Sequence, residues 1–128
     1  MDQYLRLSGV KGNSKAAGYA GWIELLEHEV GPKPSHGGTG SGVTISTPTY
    51  LMAKFREDSN YSSRIAQLAM SGALIPDGEL DLYNGTPQTY LGTYRFTGLS
   101  ISSYEVGGGD APFQRATFLF QSIKFENG

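Results

Sequence analysis

The feature that most constrains the fold of this chain is an alternation of apolar residues that changes parity in mid-strand. Tyr90, Tyr94 and Phe96 share one parity, Leu99 and Ile101 the other, and Gly98 stands between them. The closing segment repeats the device, with Phe118 and Phe120 on even positions and Ile123 and Phe125 on odd ones. Alternation marks a strand with one buried face. A change of face within one strand predicts a β-bulge, at Gly98 in the first case, and is typical of sheets that curl into barrels.

The remaining segments read in the same way. Leu5 and Leu7 alternate with Tyr4, Arg6 and Ser8, predicting a strand over 4–10, with Gly9 and Gly12 punctuating the loop that follows. Val43, Ile45 and Thr47 form one face of a second run reaching Phe55, in which Pro48 predicts an edge or a bulge. Leu80 and Leu82 alternate with Glu79 and Asp81, and Asn84, Gly85 and Pro87 mark the turn after Tyr83. Gly107, Gly108 and Gly109 form the loop between the two longest strands.

Two segments carry a helical period. At 60–72, Asp58 or Ser59 supplies a cap, Tyr61, Ile65, Leu68 and Ala69 form a buried stripe, and Gly72 a left-handed stop. At 21–30, Trp22, Leu26 and Val30 fall at helical spacing among good helix formers, so local propensity predicts helix there too. Gly31, Pro32 and Pro34 end it and open a loop through His36 to Gly42.

At 128 residues the chain has the length of a single domain, 1–128, with one modest core. A net charge of −2 without a basic stripe argues against nucleic acid as a partner. With no cysteine there is neither a disulfide framework nor a thiolate metal site. The start, MDQYLRLSGV, has no secretory n- or h-region, so that if the protein leaves the cell another machine must export it, and no apolar run is long enough for membrane insertion.

No constellation of residues reads as an active site, and no cofactor is expected. The string GGTGSG resembles a phosphate cradle, but it leads into a strand, VTIS, and has no lysine. His28 and His36, the only histidines, lack further ligands at metal-binding spacing. Glu24, Glu27 and Glu29 would suit acid–base sugar hydrolysis, yet carboxylates this close are ordinarily a solvated face. No Gly-x-Ser-x-Gly elbow is present. A carbohydrate-binding β-sandwich is an alternative that would use Trp22, Tyr90 and Tyr94.

Taken in order, these segments resemble the haemolysin-coregulated protein (Hcp) family, which forms the inner tube of the type VI secretion system. The resemblance runs from Leu5, Leu7 and Val10 through Gly12, Ser14 and Lys15, then Gly21, Trp22 and Ile23. It continues through the glycine loop into Val43, the helix at 60–72, 79–83, 93–103, the loop 107–109 and the strand 118–125. The resemblance implies a mainly β fold: a compact barrel of two packed antiparallel β-sheets with one α-helix alongside. It also implies that the segment from Trp22 to Val30 is a strand, against its local propensity.

Functionally, the resemblance implies a structural protein rather than an enzyme. It would form homo-hexameric rings stacked into a hollow tube, assembled in the cytoplasm and then expelled by a contracting sheath without a cleaved signal peptide. Sheath and spike proteins would be partners, and small effectors would ride in the lumen. The loop of Pro32, His36, Gly37, Gly38, Thr39, Gly40, Ser41 and Gly42 would contact neighbouring subunits or the next ring, and Glu29, with Glu27, would face the lumen. Tail tubes of contractile phages and of extracellular injection particles share this architecture and are the nearest alternative.

Overall fold

The structure, a computed structural model, describes residues 2–31, 48–85 and 87–127, and the backbone of 35–36 and 43–44. Among the described residues, nine strands and one helix follow in the order β1 (Asp2–Leu7), β2 (Ile23–Gly31), β3 (Ser35–His36), β4 (Val43–Thr44), β5 (Tyr50–Arg56), α1 (Ser62–Ser71), β6 (Ile75–Asn84), β7 (Thr89–Gly107), β8 (Phe113–Leu119) and β9 (Ser122–Asn127). β6, β1, β2, β5, β8 and β7 pair in that order, and β7 pairs back onto β6. Six strands thus close a barrel, and β9 adds a seventh on the outside of β7. All pairings are antiparallel.

The barrel is two curved layers that share two strands. The first layer holds β1, β6, β9 and the early parts of β2 and β7; the second holds β5, β8 and the rest of β2 and β7. β2 makes its corner at Leu26, the extra residue between the pairs Leu25↔Phe55 and Glu27↔Lys54. This bulge lets Leu25 point inward and Glu27 outward, so that Ile23 and Leu25 fill the core from one layer while His28 and Val30 continue it from the next.

β7 makes its corner at Gly98, in a different way from the bulge that the parity change predicts. The β6 ladder passes Gly98 without a register shift, from Asp77↔Thr97 to Ile75↔Leu99, and the extra residues of β7 are Leu91 and Ser102. Gly98 instead has a left-handed φ of 63°, and a side chain there would run into Gln121. That single backbone angle puts both Phe96 and Leu99 in the core. The closing segment turns opposite the same point. It is two strands, β8 and β9, with the Gln121 N–H donating to the Thr97 carbonyl between them at 2.9 Å.

Three other expectations are corrected. The helix of local propensity gives way to the strand that the resemblance implies, β2 from Ile23 to Gly31, because a helix would bury one stripe while β2 buries Ile23 and Leu25 and satisfies its backbone on β5. β1 ends at Leu7, where Ser8 and Gly9 turn the chain and Val10 bridges back to Leu7. The run expected from Val43 to Phe55 is divided between β4 and β5, with Pro48 and Thr49 outside either strand.

α1 starts at Ser62 and lies against β7, with Ile65 and Leu68 fully or nearly fully buried. It ends as its sequence predicts, with Gly72 left-handed and its N–H on the Leu68 carbonyl at 3.1 Å. Among the described residues no side chain caps its first turn. Asp58 instead orders the turn before it, its carboxylate accepting from the Asn60 N–H at 2.8 Å and its own N–H donating to Ser62 Oγ at 2.9 Å. Tyr61, buried at the junction, donates its hydroxyl to the Arg56 carbonyl at 2.7 Å. Burial, with the Asp58 charge second, pushes its phenol pKa up to about 12.

Candidate assembly face

The second layer shows its polar side to the exterior. Alternation puts Leu51, Ala53 and Phe55 of β5 and Gln114, Ala116 and Phe118 of β8 inside, leaving Lys54, Met52 and Tyr50 opposite Arg115, Thr117 and Leu119 outside. Glu27 and Glu29 of β2 join that outer face, opposite Lys54 and Met52. One row across the four strands therefore reads Glu27, Lys54, Arg115, Glu105, with Arg115 3.8 Å from Glu105. The Lys54 ammonium lies 4.3 Å from the centre of the Phe113 ring, which covers Gly107 on the neighbouring strand.

Both edges of this layer are open among the described residues. β2 pairs with β1 only at Ile23 and Glu24, so 27–31 have no strand on that side. β7 pairs with β6 no further than Leu99, so 101–107 have none on theirs. α1 lies beside that second edge, leaving a groove of about 270 Å³ lined by Ala69, Met70 and 101–104. Strand edges of this kind present unpaired N–H and C=O groups to whatever can pair with them.

The first layer's exterior is closed by its own chain. Loop 11–22 folds over it and stacks Tyr19 on Tyr4, with ring centres 4.3 Å apart and planes within 8°. The Tyr19 hydroxyl donates to Asp81 at 2.6 Å and lies 2.6 Å from the Tyr83 hydroxyl, while Thr93 donates to the other Asp81 oxygen at 2.8 Å. Burial, then the bond to Asp81, raises the Tyr19 pKa well above its usual value. Asp81 is only 7% exposed, although alternation alone places it on a solvated face. The aromatic residues Tyr4, Tyr19 and Tyr83 were the available signal that this face is covered. Below them Arg6 pairs with Asp77 at 2.9 Å, and Arg95 bridges Glu79 at 2.5 Å and Glu126 at 3.2 Å.

The sequence-derived candidates are distributed as follows. Glu27 and Glu29 share one outward face, and Glu24 faces outward from the other side of the bulge. His28 points inward and its ring Nδ1 hydrogen-bonds the Gln3 amide oxygen. Burial lowers its pKa, against the opposing charge of Glu27. His36 pairs through its backbone with Val43, whereas Pro32, Gly37, Gly38, Thr39, Gly40, Ser41 and Gly42 lie outside the described residues. Trp22 and Tyr90 join the external cluster through Tyr19 and Tyr83, but Tyr94 turns inward against Phe96 and Phe125, so the three rings share no platform. Among the described residues no group of three or more metal-ligating side chains assembles, and no helix is long and apolar enough to cross a membrane.

A family model described as "Type VI secretion system effector, Hcp" matches residues 4–126. The chain belongs to the Hcp family. Solved Hcp structures share its fold. Hcp2 from Salmonella typhimurium aligns with a TM-score of 0.78 at 22% identity, over 99% of this chain and 87% of that one. Hcp3 from Pseudomonas aeruginosa aligns at 0.73 and 14% identity, over 98% and 90%. A type VI secretion system effector from Yersinia pestis aligns at 0.75 and 15%, over 99% and 98%. No curated protein matches the chain. Hcp is a family of secreted tube proteins rather than of enzymes, and the barrel with its extra strand and one helix is the Hcp fold.

Proposed function

We propose that this chain, acting as a single domain over 1–128, closes into rings of six that stack into an expelled tube, with the outer face of the second layer lining the lumen. The observation that carries this reading is the pair of open edges on one four-stranded layer. β2, β5, β8 and β7 alternate in direction, so β7 of one subunit meets β2 of the next antiparallel. An even number of strands lets the pattern continue around a closed ring, which removes both edges of this layer at once.

Glu27 and Glu29 then face the lumen beside Lys54 and Arg115. The β3–β4 hairpin, with Pro32, His36 and the glycine loop 37–42, reaches the next ring. Sheath and spike proteins act on the assembled tube, and small effectors travel inside it. Light scattering and negative-stain electron microscopy of the purified protein test the core of this reading. A ring of six times the 13.8 kDa chain mass is expected. A strictly monomeric mass at high concentration would sink it.

A further inference from the structure

The loop from Gly108 to Pro112 is exposed throughout, and its Asp110 forms no ion pair among the described residues. It leaves the open edge of β7 at Gly107, and a side chain added at Gly108 or Gly109 would meet nothing among the described residues. At the opposite edge of the same layer is a polar cleft of about 310 Å³, lined by Asn13, Glu24, Leu26, Arg56 and Tyr61. Arg56 is likewise in no ion pair among the described residues. Gly107 and Arg56 both face Phe113 in register, so loop and cleft lie at the same end of the layer.

We infer that in the ring the 108–112 loop of one subunit seats in this cleft of the next, where Asp110 pairs with Arg56. The inference rests on the ring reading above and names a contact at its seam. From β7 across the neighbour's β2 to its β5 is two strand spacings, about 10 Å. The loop has three residues from Gly107 to Asp110 and three from there back to Phe113, so the backbone carries Asp110 part of this distance and the long Arg56 side chain spans the remainder. The small residues Gly108, Gly109 and Ala111 let the loop approach backbone closely, and Glu24 then faces the peptide N–H groups of the two glycines. The loop 107–109, which has no task inside the barrel, gains one at the seam.

Charge exchange between subunits tests the contact. D110R and R56D, each alone, should raise the concentration for half-assembly about tenfold, as the loss of a close interfacial charge pair implies. Mixed in equal amounts they should assemble like the wild type. In an alternating ring of six, the arginine-bearing loop of the D110R subunit meets the aspartate-bearing cleft of the R56D subunit, and the native pair of Asp110 with Arg56 remains at every other seam. A pair formed within one chain would not be rescued by mixing. The milder D110N and R56Q should each give a smaller loss, and circular dichroism checks folding. Wild-type-like assembly of the single variants, or no recovery in the mixture, overturns the contact while wild-type rings still support the ring reading. A wild type that forms no ring overturns both.

Discussion

The Tyr19 hydroxyl lies 2.6 Å from the Asp81 carboxylate and is donated to it from a loop that crosses the outer face of the barrel. Asp81 is 7% exposed and depends on Tyr19 and Thr93 for its hydrogen bonds. Y19F keeps the ring stacked on Tyr4 and removes only the donor. Because the acceptor is a buried carboxylate, the variant should lose about 1.5–3 kcal/mol in urea unfolding. A loss under a few tenths would show that solvent already serves Asp81.

Gly98 combines a left-handed angle with a space that Gln121 fills. G98A should cost about 1–3 kcal/mol, from the backbone angle and from displacing the glutamine. In a Q121A background only the backbone part should remain. Equal costs in the two backgrounds would assign the whole effect to φ.

His28 is held below its usual pKa by burial, so the unfolded chain binds its proton more readily than the folded one. Its contribution to stability is present above the unfolded pKa of about 6.5 and is lost as pH falls through the lower folded value. Glu79, raised by burial and then by the Asp81 charge, acts in the opposite direction: its contribution is lost as pH rises through the folded value. Chemical denaturation at a series of pH values between about 7.5 and 5, spanning the ordinary histidine range, should therefore show a flatter decline for H28Q than for wild type. An unchanged slope would remove His28 as the cause.

Gln114 points into the core with its Oε1 unpartnered among the described residues. Q114M keeps nearly the same shape without the orphaned acceptor and should gain about 1 kcal/mol. Loss of stability would point to a bond to water at that site.

Deleting 37–42 should leave the melting temperature and ring mass close to wild type while reducing the length of stacked tubes in electron micrographs. Tubes of normal length would reassign the loop.

Much of the barrel was legible because alternation reports which face is covered. Leu5, Leu7, Leu80, Leu82, Phe96, Leu99 and Phe118 read as core from spacing alone and are buried. Segment 22–30 was not legible by local rules, since the same residues support a helical stripe and only pairing with β5 selects the strand. Asp81 was misplaced for a related reason. Alternation gives the side of a strand, but not whether a loop from a distant part of the chain, here the one carrying Tyr19, returns to cover it.

Sequence by itself determined the period of the strands, the stop of the helix at Gly72, the place where β7 changes face and, through the order of its segments, membership of a tube family. These are local consequences of side-chain size, backbone angle and spacing. Tertiary structure decided that the parity change at Gly98 is a left-handed corner, that Tyr19 buries Asp81, and that both open edges belong to one layer. Those depend on which distant strands meet, and short-range propensity carries no information about such pairings.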